Sequence, residues 1–325
     1  MSADETVTPT ARFAKLGPLA GLAVVALLAA APALGLSDFH RSLAIEAMMF
    51  SILAMSLNLI LGYAGLVSFG HAAFFAIGAY AAGLAANAGG TDMLISFPIA
   101  ILTGVLLAIP IGWLSIRLSG FYFLMITFAF AQMVHSVAFR WNWLTGGSDG
   151  LLMAGPTLLG SPVLQSRNQL YFFTLICCVV TFVAMATIVA SPFGQVLVGI
   201  RENTMRMRAL GYNIRAYKLA AFVIAAGFGA LAGYINAQFS LFVAPDAADW
   251  TQSASVLVMV LIGGAGTLTG PIIGATVVLL LQHWLSSYTQ YWSLVLGLIF
   301  IGLITVARDG LQGVAVRAWG LGMTR

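Results

Sequence analysis

The chain has 325 residues, of which 61% are hydrophobic and only 7% charged, with a mean hydropathy of +0.99; soluble domains carry about 25% charged residues. So little charge cannot cover an aqueous surface, and lipid must solvate most of the exterior. The net charge of +4 comes from basic residues scattered between apolar runs and never gathered in an arm, which argues against a nucleic-acid binder and reads as membrane topology.

Residues 1–15 are polar, and the apolar run from Leu16 to Gly35 starts too late and runs too long for a cleavable signal peptide. It reads as a retained first span. Nine further stretches approach or reach the roughly 20 apolar residues of a membrane helix. They run Leu43 to Leu61, Ala64 to Ala86, Leu94 to Leu118, Gly120 to Phe139, Gln169 to Ala190, Leu219 to Phe239, Thr251 to Gly264, Pro271 to Ser287 and Trp292 to Ala307. Glycine-rich parts of the third, eighth and tenth stretches also suit half-helices or re-entrant turns. The expected fold is therefore an all-α polytopic bundle of about ten spans, eight at the fewest. No linker or low-complexity tract divides it, so one transmembrane domain is expected over 16–307, between cytoplasmic tails 1–15 and 308–325.

Basic residues favour the cytoplasmic side. With both termini inside, the inner segments hold Arg12, Lys15, Arg117, Arg201, Arg206, Arg208, Arg215, Lys218, Arg308, Arg317 and Arg325 out of 14 Lys and Arg residues. Only Arg41, Arg140 and Arg167 fall outside, which supports an even number of spans.

Within the spans, polar residues are few, and each needs an interior position or a partner. Glu46 lies about one turn from an outer end, where a snorkelled or locally paired carboxylate competes with a pathway role. Gln132 and His135 share a helix face near another outer end, and Gln282 and His283 approach a third. Asn58, Ser68 and His71 fall toward inner ends. These polar side chains, together with Gly263, Gly264 and Gly266, are candidates for a passage or its gates, with interhelical packing and hydrogen bonding the competing account. GYAGLVSFG (62–70) and GGAGTLTG (263–270) echo one another loosely, both on the inner side. Gly229 with Gly233, and Gly270 with Gly274, are spaced to let helices approach closely. Cys177 and Cys178 are adjacent in an apolar run and read as structural.

Two connections are longer than a tight turn. The outer one, beginning WNWLTGGSDG, combines interfacial tryptophans with a glycine-rich turn, Thr145, Gly146, Gly147, Ser148 and Asp149. The inner one, 191–218, carries apolar Val196, Ile200, Met207 and Leu210 with Arg201, Arg206 and Arg208 exposed between them. That pattern predicts a short amphipathic helix from Val196 to Leu210, ended by Gly211 and Asn213. A helix across an inner mouth suits a soluble partner's grip, although a basic helix on anionic headgroups would look the same.

A resemblance separates these readings. The segment SPFGQVLVGIREN…ALGYNIRAYKLAAFVIAAGFGALAG resembles the coupling loop of ABC importer permeases, and specifically the branched-chain amino-acid permeases of LivM type. NLILGYAGLVSFGHAAFFAIGAYAAG (58–83), VLVMVLIGGAGTLTGPIIGA (256–275) and LTGGSDGL (144–151) are similar to the same branch. The resemblance implies ATPase coupling through Arg201, Glu202, Arg206, Arg208, Ala209 and Gly211, and contact of the 145–149 turn with a periplasmic substrate-binding protein. It further implies a second permease of LivH type, two ATP-binding subunits that hydrolyse Mg-ATP, and a small amino-acid substrate in a bacterial inner membrane. Met207 and Arg208 depart from the small or acidic residues more usual in the coupling consensus.

The only lysines, Lys15 and Lys218, follow Ala14 and Tyr217, so no Gly-Lys phosphate-binding loop exists. No cofactor is therefore expected on this chain. No H-E-x-x-H motif appears. A secondary transporter driven by ions or protons remains the alternative, lacking only deep coupling charges, and an intramembrane enzyme would have to use His71, His135 or His283.

Overall fold

The computed structural model describes residues 37–88, 92–158, 161–164 and 166–306. The expected first span and both tails lie outside the described residues. In chain order the long helices are α1 (Asp38–Asn58), α2 (His71–Asn87), α3 (Met93–Ser115) and α4 (Phe121–Arg140). After a short α5 (Asn142–Thr145) come α6 (Arg167–Ala190), α7 (Pro192–Glu202), α8 (Thr204–Ala209) and α9 (Ile214–Ser240). The last three are α10 (Trp250–Gly263), α11 (Gly270–Ser286) and α12 (Trp292–Val306). Against the all-α expectation, the only strands among the described residues are two-residue pieces. Leu151–Leu152 (β1) pairs antiparallel with Phe242–Val243 (β4), and Thr157–Leu158 (β2) with Ser161–Pro162 (β3).

Among the described residues, five helices are long and apolar enough to cross a membrane, and burial sorts them into layers. In their most apolar windows, 78% of residues in α1 with its extension and 61% in α9 are buried, against 28%, 22% and 28% in α3, α4 and α6. The first two are therefore interior and the other three face outward. Helix α2 is buried without interruption from His71 to Gly83, the pattern of a helix enclosed on every side. It packs on α9 and α3, while α1 packs on α6, α11 and α9. On the outer faces, Leu102 and Leu106 of α3 and Ile176 and Val180 of α6 are more than half exposed. Such apolar faces suit acyl chains or another membrane subunit rather than water.

Close approach of α2 and α9 depends on missing side chains. A Cβ at Gly78 would lie 2.1 Å from the Ala230 carbonyl oxygen, and one at Gly233 only 1.8 Å from that of Phe75. Gly274 likewise faces the Met259 carbonyl at 1.9 Å, joining α11 to α10. The spacing of Gly229 with Gly233 is thus a packing signal. Gly233→Val is expected to cost about 1–3 kcal/mol through overpacking. It should lower the melting temperature in detergent, whereas Gly297→Val, with open space around it, should not; equal melting curves would show that α2 and α9 do not touch there.

The expected span Ala64 to Ala86 requires correction, because its first seven residues are not helical. After Asn58 the α1 helix widens into a π turn, Leu59–Tyr63, and Gly65 then takes a left-handed φ of +70°. A π turn shifts the backbone hydrogen bonds by one residue, as in Ala64 N–H to Leu59 C=O, and Leu66 N–H then reaches back six residues to Ile60 C=O. The chain reverses there and helix α2 starts only at His71.

Candidate functional site

Three connections expected on the inner side meet at one end of the bundle. The first is the 191–213 segment. Ser191 caps α7 through the Gly194 N–H, and Pro192 takes the first turn, where a missing N–H costs nothing. The apolar face of α7, Val196, Leu197 and Ile200, is buried. Val196 and Ile200 cluster with Ile214, and Met207 packs partly against them.

The expected single helix from Val196 to Leu210 is instead two. Asn203 adopts an extended conformation at φ −153° and its side chain accepts the Arg206 N–H at 2.9 Å, restarting the chain as α8. Asparagine competes with helical hydrogen bonding in this way, so the break follows from local chemistry. Gly211 has φ +87°, a conformation unfavourable to residues with a Cβ. Arg206 and Arg208 are exposed, and so are Met205 and Leu210, at 71% and 66%. Glu202 and Ala209 also face outward.

The other two connections are the glycine-rich loops 62–70 and 263–270, and the structure places these echoing sequences against each other. Asn58 joins them: its amide nitrogen donates to the Thr267 carbonyl at 2.8 Å, and its amide oxygen accepts the Gly266 N–H at 2.8 Å. A Cβ at Gly62 would stand 2.2 Å from the Asn58 amide oxygen and 2.3 Å from the Gly266 nitrogen, so only glycine permits this approach. Arg201 is exposed like Arg206 and Arg208, but unlike them it reaches back to the bundle. Its guanidinium donates to the Gly62 carbonyl.

Ser68 and His71 are buried beside this junction. The Ser68 hydroxyl accepts the Gly70 N–H, and His71 Nε2 hydrogen-bonds the Ser56 hydroxyl at 2.6 Å. Ser253 of α10 accepts the Ala72 N–H at 2.9 Å, and Thr127 of α4 accepts that of Phe69 at 3.3 Å, so two distant helices cap the start of α2. Ser56, Thr127 and Ser253 carry no motif, since a lone hydroxyl in an apolar run is indistinguishable in sequence from its neighbours, whereas Thr267 lies in the quoted glycine loop.

The remaining candidates are elsewhere. Glu46 pairs with His283 at 3.0 Å near the opposite end of the bundle, with both side chains partly exposed. Gln132 and His135 are half-buried on α4, and His135 stacks on Phe139. In the 145–149 turn, Thr145 and Gly147 are buried and hold the backbone: the Thr145 hydroxyl donates to the Ala138 carbonyl at 2.7 Å. Ser148 and Asp149 alone in that turn are exposed, and Gly146 is half-buried with φ +75°. The pairing of β1 with β4 fastens this connection to the segment after α9. Cys177 and Cys178 are unpaired within α6.

Several curated transport permeases are similar to this chain in sequence. The high-affinity branched-chain amino acid transport system permease protein LivM of Escherichia coli (strain K12) is 27% identical over 287 residues, covering 81% of this chain and 68% of that protein. A probable LivM permease of Methanocaldococcus jannaschii is 24% identical, over 78% of this chain and 83% of its own. The LivH permease of Escherichia coli (strain K12) is 21% identical, over 81% and 91%. No solved structure matches significantly. Residues 41–306, which include the basic helix pair and both glycine loops, match the family described as branched-chain amino acid transport system / permease component, and the chain belongs to that family.

Proposed function

We propose that this chain is one permease of a pair in an ATP-driven importer of the bacterial cytoplasmic membrane, and that it moves branched-chain amino acids, or a related small amino acid or amide, inward by alternating access. The observation that carries this reading is the basic pair α7 and α8. Met205, Leu210, Arg206 and Arg208 are exposed on it while its other face is tied into the bundle beside two glycine loops. Apolar residues ringed by arginine suit a protein partner's cleft.

In this reading the partner permease is of LivH type, two ATP-binding subunits hydrolyse Mg-ATP, and a periplasmic binding protein delivers the solute to the end bearing Ser148 and Asp149. The chain supplies the two-state element and its partners supply the energy. Co-purification of the tagged chain should bring down a vanadate-sensitive ATPase. Calorimetry on the binding protein that associates with the complex should identify an amino acid. A chain that purifies alone and takes up solute in response to an ion gradient would replace this reading with secondary transport.

Glu46 is the acid closest to a coupling role in that rival scheme. Its pairing with His283 leaves their side chains 28% and 39% exposed, respectively, where an ion pair is worth at most about 1 kcal/mol. Glu46→Gln is therefore expected to leave the uptake rate within about twofold of the parent. Abolished uptake in this variant, with normal insertion, would favour the ion-coupled mechanism.

A further inference from the structure

We propose that Arg201 is the positioning residue through which movement of the cytoplasmic helix pair reaches the two glycine loops. The inference rests on the importer reading above and deepens it. Arg201 stands in the last turn of α7, one residue after the buried Ile200, and its side chain crosses to the end of α1. There its guanidinium donates to the carbonyl of Gly62 in the π turn. The last carbonyls of a helix lack intrahelical partners and carry negative partial charge, so a cation donating to one is a strong, directional contact.

The route of the side chain is made by absent neighbours. A Cβ on Gly65 would lie 2.8 Å from Arg201 Cγ, and one on Gly266 would lie 2.9 Å from the guanidinium Nη1. Gly65 and Gly266 also have φ of +70° and +80°, so the backbone turns that open the passage are themselves glycine-dependent. One arginine thus lies against both loops, which come from opposite ends of the sequence. Asn58 joins the same loops directly.

A continuous set of contacts follows: α7, Arg201, loop 62–70, Asn58, loop 263–270. An arginine serving only to dock a partner needs no such channel. When an ATPase displaces α7, the Arg201 contact carries the displacement into both loops together, and they open or close the inner end as a unit.

The test uses the complete complex of both permeases and ATPase subunits in lipid nanodiscs, with hydrogen exchange measured before and after vanadate trapping of nucleotide. In the parent, trapping should change exchange in 192–210 and in both loops. In Arg201→Met the ATPase subunits should still co-purify and 192–210 should still respond, while the response of both loops falls about tenfold, the scale of a lost coupling contact. Arg201→Lys, which keeps the charge and most of the reach, should restore part of it. Loop responses equal to the parent's, or loss of the ATPase subunits from R201M, would overturn the proposal. If R201M does not accumulate, Arg201→Gln carries the same measurement, being polar but too short to span the gap. Failure of the importer reading shows separately, as parent complexes that contain no ATPase.

Discussion

Reversing the charge at Arg206 and Arg208 together is expected to abolish uptake while leaving the protein inserted at normal levels. Both residues are exposed on α8 and contribute nothing to the buried cluster of Val196, Ile200 and Ile214. Folding should therefore be indifferent to the change, since substitutions at exposed sites away from specific contacts usually stay within about 0.5 kcal/mol. Binding is different. A surface selected to meet arginines presents acceptors, and placing glutamates there juxtaposes like charges, which costs several kcal/mol, or roughly a hundredfold or more in affinity. The ATPase subunits should be lost on co-purification, and uptake with them. An ATPase that still co-purifies with R206E/R208E, or unchanged uptake, would remove α8 from the docking surface.

Asn58→Ala is expected to have the largest effect inside the bundle. The amide satisfies one donor and one acceptor of the 263–270 loop at once, the Gly266 N–H and the Thr267 carbonyl. Alanine removes both bonds, and because the two groups are part-buried the cost is at most about 1–3 kcal/mol for each. The loops are held together at a point where Gly62 already excludes any side chain, so little can fill the gap. Transport should fall by more than about tenfold. Asn58→Asp, which retains the acceptor for Gly266 but cannot donate to Thr267, should be intermediate. Hydrogen exchange localised to 263–270 is the direct measurement, and unaltered protection there in N58A would show that the two bonds do not hold the loop.

The distribution of information between chain and fold is clear at particular residues. Hydropathy is a local property, so the helices from Asp38 onward lie close to the apolar runs that announce them, and capping serines and asparagines mark several ends: Ser166, Ser191, Asn203 and Asn213 each accept a backbone N–H. The lipid-facing class of the protein, and the basic stretch between α6 and α9, were legible for the same reason. Where local chemistry competes with helix periodicity, at Gly65 and Asn203, pattern alone continued a helix that the backbone breaks.

Contacts across the bundle are another matter. Arg201 and Gly62 are 139 residues apart, Asn58 and Thr267 are 209 apart, and Ser253 caps a helix 181 residues away. No period or spacing encodes such pairs, because which faces meet depends on how all the helices share one interior. The amino-acid sequence by itself determined that this is a bundle for lipid with a basic aqueous segment. Tertiary packing decided that the segment's first arginine reaches the Gly62 carbonyl and that the two glycine loops are one junction, since only there do their missing side chains coincide in space.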